Sequence, residues 1–256
     1  MSDWVYHLPV VWMAALVLAI TALITWLIYA TVMTLAVQQR ARAFKGVTPA
    51  LLSPLGIVFG LLVAFLSAQV WNDAQRAASE VSREASALRT VDLLASSFPK
   101  DLQTRLHTLL REYVTQAVQE EWPAMAGQGA TLALAPAPLT EALRLSLATV
   151  FDSEGQRVAQ REIAAALEQA LDARRQRIII SRSSINWVKW AGLIGVAVVN
   201  LLAIAFVHCD NKAAAVTAMG LFATAAAISV VLIASHARPF TGQISVGPGL
   251  LQEIIR

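Results

Sequence analysis

The chain has 256 residues, of which 57% are hydrophobic and 14% are charged, and its mean hydropathy is +0.58. Soluble domains carry about 25% charged residues, so this composition indicates a protein with several membrane-spanning segments. The net charge of +3 and the lack of a basic stripe interleaved with aromatic residues argue against nucleic-acid binding. The single cysteine, Cys209, excludes an intrachain disulfide.

Two apolar segments open the chain, at about residues 9–37 and 55–71, so residues 1–71 are predicted to hold transmembrane spans one and two. The first is too long for the apolar core of a cleavable signal peptide and has no basic residue before it, so we expect it to remain in the membrane. Span two carries small residues at a spacing of four. Such a face can pack closely against another helix, or it can line a pore. The pore-lining candidates in this span are Gly56, Gly60 and Ala64.

Apolar or small residues continue at helical spacing beyond span two, with no Gly or Pro between residues 72 and 97. One helix over residues 51–97 would be roughly 65 Å long, about twice the hydrocarbon thickness of a bilayer. We therefore predict an extramembrane helical domain over residues 72–186. Within it, a helix is expected at 101–119 and is predicted to end at Glu120-Glu121-Trp122-Pro123. A Gly/Ala/Pro-rich connector, a short helix at 139–151 and a long helix from 156 should follow.

The last two apolar segments, about 187–207 and 213–235, are separated by a short turn, so residues 187–236 should form a helical hairpin of spans three and four. Residues 237–256 form a predicted C-terminal tail. Span four contributes further pore-lining candidates, Thr217, Gly220 and Thr224. The long helix from 156 is predicted to run without a break into span three near Trp187.

Basic residues collect where span three begins. Repeated around a symmetric oligomer, they could form a vestibule that concentrates anions, and individually they could anchor the helix at lipid phosphates. The vestibule candidates are Arg177, Arg182 and Lys189.

The sequence lacks a clustered set of metal ligands, a phosphate-binding loop and a nucleophile elbow, so we expect neither an enzyme nor a bound cofactor or metal. No Asp, Glu, Lys or Arg lies well inside a span, which argues against a proton relay or an ion-coupled transporter. A passive pore needs no such groups. Four spans can hardly enclose an aqueous path, so a channel would require several copies of the chain.

Several short motifs, taken in their order and spacing, resemble a family of bacterial membrane proteins called bestrophin-like. They are FGLLVAFLSAQVWNDA (59–74), Glu84-Ala85, Tyr113, Glu121-Trp122-Pro123, Arg174-Arg175-x-Arg177-Ile178 and Pro239-Phe240-Thr241-Gly242. The resemblance implies a four-span helical protein with a helical insertion between spans two and three. The family's shared domain has no assigned function, and its name suggests similarity to anion channels. It brings no catalytic or ligand-binding residues.

The predicted fold class is thus an all-α membrane protein with four transmembrane helices. A helical extramembrane domain is inserted between spans two and three, and its flanking helices continue into the spans. Four spans place both termini and this domain on one side of the bilayer. We predict that the domain and both termini lie on the extracytoplasmic side of a bacterial inner membrane, because the basic residues after span one (Arg40, Arg42, Lys45) should stay in the cytoplasm. The basic residues before span three favour the opposite orientation.

Two functions follow as hypotheses. The first is an oligomeric ion channel of bestrophin-like type, favouring anions over cations, whose partners are the lipid bilayer, further copies of the chain and small inorganic ions. The alternative is a non-conducting membrane scaffold or sensor whose helical domain binds a partner. Bulky substitutions on the small-residue faces should close a pore but leave a scaffold active.

Overall fold

The computed structural model of the chain describes residues 6–35, 49–132 and 135–255, and these residues form helices without any strand. The helices are α1 (Val10–Leu35), α2 (Leu52–Ala95), α3 (Lys100–Gln116), α4 (Trp122–Ala126), α5 (Ala137–Ala148), α6 (Glu154–Ser181), α7 (Trp187–Val207), α8 (Lys212–His236) and α9 (Gly249–Gln252). A π-helical turn, Ala117–Glu121, joins α3 to α4, and 3-10 turns at Pro49–Leu51 and Glu253–Ile255 precede α2 and follow α9.

Four helices of the described chain, α1, α2, α7 and α8, are long and apolar enough to cross a membrane. The prediction of an all-helical protein is therefore confirmed for these residues, and the four predicted spans coincide with four candidate membrane-spanning helices. Span two is continuous with the helix that follows it, because α2 runs for 44 residues, about 66 Å at 1.5 Å per residue. The basic residues Arg40, Arg42 and Lys45, on which the predicted orientation depends, lie outside the described residues.

The predicted continuity of the long helix with span three is wrong. Helix α6 ends at Ser181 and α7 begins at Trp187, with no helix between them. The Ser183 hydroxyl donates to the Ile180 carbonyl, and the Asn186 side chain accepts from the Val188 amide to cap α7. Ser and Asn side chains that bond to nearby backbone favour helix ends over helix interiors, which explains the interruption.

The predicted helix end near Pro123 is also wrong, because the helical path continues through the π-helical turn and α4 to Ala126. A proline inside a helix lacks an amide donor and crowds the preceding turn. Here the turn before Pro123 is widened, and the Trp122 amide donates to the Ala117 carbonyl, five residues back. The wider turn accommodates the proline without ending the helix.

The described residues belong to two compact units. The first, the span unit, comprises residues Met1–Trp71 and Ser184–Ala237, and the second, the polar unit, comprises Asn72–Ser183 and Arg238–Arg256. The segment predicted as a separate tail thus packs within the polar unit from Arg238 onwards. Helix α2 contributes its first half to the span unit and its second half to the polar unit.

The span unit is held by two apolar clusters. One cluster centres on Phe59, Leu193 and Ile233, and the other on Leu201 and Met219. Asn200 is buried between the helices, and its amide donates to the Leu55 carbonyl at 3.3 Å and the Val196 carbonyl at 2.9 Å. These bonds satisfy its donor group in an apolar setting and connect α7 to the start of α2.

The polar unit has one large core. The inward face of α2 packs with residues of α3, α5 and α6, and the residues wholly inaccessible to solvent include Leu88, Val91, Leu106, Leu139, Ile163 and Leu167. Leu251 from α9 is equally buried in this core. Packing of this kind holds the unit's helices around the buried charged residues Glu84, Arg174 and Arg177.

Candidate functional site

A glutamate lies on the buried face of α2. Glu84 falls between Val81 and Leu88, at the three- and four-residue spacing of the face that enters the core. Its side chain has no solvent exposure. A buried carboxylate is strongly unfavourable unless it is paired, so its partners define the site.

Arg177 of α6 is the main partner of Glu84. Its Nε lies 2.8 Å from Glu84 Oε2 and its Nη2 lies 3.1 Å from Glu84 Oε1. The same Nη2 donates to Glu121 Oε2 at 3.0 Å. Glu121 ends the π-helical turn, so one guanidinium joins three segments that are far apart in sequence.

Arg174, one helical turn before Arg177, completes the charge balance. Its Nε and Nη2 donate to Glu121 Oε1 at 2.7 and 2.6 Å. The cluster then holds two glutamates and two arginines, Glu84, Glu121, Arg174 and Arg177. Because the formal charges cancel and the donors and acceptors meet directly, the burial of these ions is compensated locally.

Tyr113 adds a neutral donor, since its hydroxyl donates to Glu84 Oε1. Burial raises the pKa of Tyr113 well above its usual value, and the negative charge of Glu84 raises it further. Burial by itself would lower the pKa of Arg177, but the Glu84 carboxylate, together with Tyr113 and Glu121, more than offsets this effect and raises the pKa. Both side chains thus keep the protonation state that their hydrogen bonds require.

An aromatic side chain covers the guanidinium of Arg177. The Arg177 Cζ lies 4.4 Å from the centre of the Trp122 ring, within cation–π range. Arg177 Nη1 also approaches Met125 Sδ at 3.5 Å. With Glu121 and Trp122 adjacent in sequence, the π-helical turn and α4 supply both an anion and an aromatic face to the same arginine.

The C-terminal segment closes the site from the side of Trp122. The Trp122 indole donates to the Val246 carbonyl at 3.1 Å, and the Phe240 ring meets Trp122 edge-on with centroids 5.9 Å apart. The Thr241 hydroxyl donates to the Ala126 carbonyl at 2.7 Å. Gly242 has a φ of 89°, a conformation that favours glycine, so the turn after Thr241 depends on this residue.

The arrangement is suited to fixing helices and offers no open reactive group. Each charged group of the cluster is paired, and the described residues contain no group of three or more His, Cys, Asp or Glu side chains that could hold a metal ion. A paired arginine does not exchange its proton near neutral pH. The cluster can therefore define the relative placement of α2, the π-helical turn and α6.

Sequence reasoning missed this cluster, although it noted several of its members. The motif residues Glu84, Tyr113, Glu121, Trp122, Arg174, Arg177, Phe240 and Thr241 all come together in the polar unit. The available signal was Glu84 itself, an acidic residue in register with an apolar helix face. Such a residue calls for a cationic partner, but the spacing alone could not identify Arg177.

The predicted pore-lining residues of α2 lie on an open face. Gly56, Gly60 and Ala64 are exposed in the chain. A Cβ placed on either glycine would meet no atom within 4 Å outside its own helix. Neither glycine is therefore used for close packing against residues 6–35, 49–132 or 135–255.

The predicted pore-lining residues of α8, Thr217, Gly220 and Thr224, are also exposed. Gly220 and Thr224 line a groove of about 340 Å³ together with α1 residues that include Ala22 and Trp26. The Thr224 hydroxyl donates to the Gly220 carbonyl at 2.8 Å, so it is satisfied within its own helix.

The three predicted vestibule residues have different surroundings. Arg177 is fully buried and paired within the polar unit, so in this chain it presents no charge to solvent. Arg182 is exposed and donates to the Ala130 carbonyl at 2.9 and 2.5 Å. Lys189 is exposed and its Nζ donates to Gln69 Oε1 at 2.6 Å. Arg177 is thus buried and ion-paired, whereas Arg182 and Lys189 are exposed.

The chain matches the model of a protein family. The model of the Bestrophin-like domain matches residues 15–251, which confirms the resemblance found in the sequence motifs. No curated protein and no solved structure matches the chain.

Proposed function

Because the chain belongs to the Bestrophin-like family of membrane proteins, we propose that it forms an oligomeric ion channel that favours anions over cations. The open small-residue face of span two carries this proposal. A face of Gly56, Gly60 and Ala64 that no helix among the described residues covers is available either to a second copy or to a central path.

The apolar character of the spans supports a passive mechanism. Channels conduct through apolar constrictions and select ions with charge at the mouth. Arg182, just after α6, and Lys189, in the first turn of α7, are both exposed, so symmetric repetition of either side chain would supply a positive ring. Arg177 is not included, since its charge is already neutralised.

The decisive experiment is ion flux into liposomes that contain the purified, folded protein. Wild-type protein should pass chloride faster than potassium or sodium. Gly60→Leu should reduce the flux at least about tenfold, because a leucine side chain obstructs a narrow path. Gly192→Leu is the matched control, as Gly192 is an exposed glycine of span three with the same open surroundings. Folded wild-type protein that passes none of these ions contradicts the proposal.

Oligomeric state provides an independent test. Four spans from one chain enclose too little space for an aqueous path, so a channel requires several copies. Mass measurement in nanodiscs should give a defined oligomer, and a strictly monomeric protein would contradict the channel.

The second candidate is a non-conducting scaffold or sensor whose polar unit binds a partner. The observation that favours it is the position of the family motifs, most of which meet in the buried cluster of the polar unit and not in the spans. A scaffold should keep its cellular activity in Gly60→Leu and Thr224→Phe proteins that fold. A channel should lose its activity in at least one of them.

We further propose that the protein lies in a bacterial inner membrane with the polar unit inserted between spans two and three on the extracytoplasmic side. The continuous α2 supports an inserted unit, because a helix of 44 residues is longer than a bilayer requires.

A further inference from the structure

The groove between α1 and α8 lies on the outside of the span unit. Its volume is about 340 Å³, within the range of roughly 300–1,000 Å³ typical of small-molecule sites. Leu18 and Trp26 of α1 and Gly220 and Thr224 of α8 line it, and all four are exposed. Because both helices are candidate spans, a ligand can enter the groove directly from the bilayer.

The relative direction of α1 and α8 shows which end of the groove is nearer the α7–α8 turn. Val32 and Met219 share one apolar cluster of the span unit. Met13 and Ile233 share the other. The two helices therefore run antiparallel, and the end of the groove lined by Tyr29 is the end nearer the α7–α8 turn.

The length of the groove matches the thickness of one leaflet. On α1 the lining residues run from Leu18 to Tyr29, about 16 Å along the helix axis. On α8 they run from Val216, near the start of the helix, to Thr224, the middle residue of its 25. The hydrocarbon region of one leaflet is about 15 Å thick. The groove therefore extends from the membrane face at the α7–α8 turn to about the midplane of the bilayer.

The groove is too narrow for a whole helix of another chain. Over a length of about 16 Å, its volume of about 340 Å³ corresponds to a mean cross-section of about 20 Å². An α-helix with its side chains is about 10 Å across and requires about 80 Å². Non-bonded carbon atoms pack about 4 Å apart, so a single hydrocarbon chain is only a few ångströms wide. The width of the groove therefore favours a hydrocarbon chain.

The lining favours an apolar ligand. All of the lining residues are described, and none of them is charged. The Thr25 hydroxyl donates to the Thr21 carbonyl at 2.8 Å, and the Thr224 hydroxyl donates to the Gly220 carbonyl, so neither needs an acceptor from a ligand. A polar ligand would lose its hydrogen bonds to water without replacement here. Tyr29, at the end near the membrane face, is of a residue type enriched where lipid headgroups lie.

We propose that this groove binds one acyl chain of a phospholipid from the leaflet at the α7–α8 turn. The chain lies between α1 and α8, with its methyl end near Leu18 and Thr224 and its glycerol end at the level of Tyr29. Gly220 and Thr224 then contact lipid, which is an alternative to a pore-lining role. The proposal is independent of ion conduction, because lipid binding is measured directly and not through flux.

The test uses the full-length protein in detergent, stripped of lipid, and phosphatidylcholine with brominated acyl chains, which quench tryptophan fluorescence on contact. Trp26 lines the groove and is 62% exposed, and the fluorescence that Trp26→Phe removes identifies its signal. Titration should quench this signal saturably, with one lipid bound per chain. Gly220→Leu should weaken binding at least about tenfold, because the leucine side chain takes the space of about two methylene groups of the lipid.

Gly192→Leu is the matched control, since Gly192 is an exposed glycine of α7 that does not line the groove. A Cβ on either glycine meets no atom within 4 Å outside its own helix, so both variants should fold, and Gly192→Leu should keep the wild-type affinity. The proposal is overturned if quenching does not saturate, if Gly220→Leu binds as tightly as wild type, or if Gly192→Leu weakens binding equally. Loss of the oligomer in a Gly220→Leu protein of unchanged affinity would show that a second copy occupies the groove.

Discussion

Arg177 and Glu84 pair in the interior of the polar unit, 93 residues apart in sequence, with 2.8 Å between the guanidinium Nε and the carboxylate Oε2. Both side chains are inaccessible to solvent. Since neither ion can be rehydrated without opening the core, this contact fixes α2 against α6. The mutual dependence of the two charges gives the first prediction.

Glu84→Gln should destabilise the protein by about 3–5 kcal/mol, because it leaves the buried Arg177 charge without its main partner. The free energy of unfolding in denaturant, at a constant detergent concentration, measures this effect. Asp172→Asn is the control, since it removes the exposed partner of Arg83 and should change stability by less than about 1 kcal/mol. Equal losses in the two variants would show that the buried pair has no special role.

Tyr113→Phe should change how stability depends on alkaline pH. Burial, and then the Glu84 carboxylate, raise the pKa of Tyr113 above its usual 10.0 in the folded protein. Below pH 10 the tyrosine is protonated in both states, and its contribution to stability is fully present. Above pH 10 only the unfolded state releases the proton, so stability falls with a slope of up to about 1.4 kcal/mol per pH unit.

The comparison of the two proteins isolates this contribution. Unfolding between pH 9 and about 11.5 should show a steeper loss in wild type than in Tyr113→Phe. At neutral pH the variant should be less stable by about 1–3 kcal/mol, because Glu84 loses a buried hydrogen-bond donor. Parallel pH profiles would contradict the assignment of the raised pKa to the folded state.

Local sequence patterns predict the spans and the long helices of this fold. They fail where the end of a helix depends on a single capping residue, and where the burial of a side chain depends on residues distant in sequence. The apolar runs and the uninterrupted spacing after span two predicted α1, α2, α7 and α8 because each helix carries its own periodicity. The break before α7 depends on the Asn186 side chain, which caps the helix by accepting from the Val188 amide. A pattern of apolar residues carries no signal for such a cap. The helical path continues past Pro123 because of a π-helical turn, in which the hydrogen-bonded residues are five apart instead of four. This turn changes the spacing of residues along the helix.

The candidate site was harder to predict than the fold. The pattern of basic residues near a membrane boundary predicts exposed side chains, and on this basis alone Arg177 is a vestibule candidate. Its burial is decided by Glu84 and Glu121, which lie 93 and 56 residues away in sequence. Helical periodicity carries no information about such pairings, so only the tertiary structure could assign Arg177 to the interior.

Phe240→Ala should destabilise the polar unit by about 3–5 kcal/mol, the usual cost of truncating a buried aromatic side chain. Phe240 is 4% exposed and meets Trp122 edge-on, so its loss also uncovers the ring that stacks on Arg177. The free energy of unfolding measures the loss of packing, and the tryptophan fluorescence reports the uncovering of the Trp122 ring. Ile244→Ala is the control in the same segment, because Ile244 is exposed and should contribute less than about 0.5 kcal/mol. Similar losses in both would contradict the packing role of Phe240.

Cysteine labelling tests the proposed insertion of the polar unit between spans two and three. The buried Cys209 can be replaced by alanine to give a cysteine-free background. New cysteines are then placed at exposed positions of α2, α6 and α8, namely Ser86, Ala165 and Lys212. If spans two and three both cross the bilayer, Ser86→Cys and Ala165→Cys should share one side and Lys212→Cys should lie on the other.

A membrane-impermeant maleimide applied to right-side-out and to inverted inner-membrane vesicles distinguishes the sides. Ser86→Cys and Ala165→Cys should react in right-side-out vesicles, and Lys212→Cys only in inverted ones, if the polar unit is extracytoplasmic. The reverse pattern keeps the inserted arrangement but places the polar unit in the cytoplasm, as the basic residues before span three would favour. Labelling of Ser86→Cys and Ala165→Cys from opposite sides would exclude an inserted unit, because α2 and α6 share one buried core through Glu84 and Arg177.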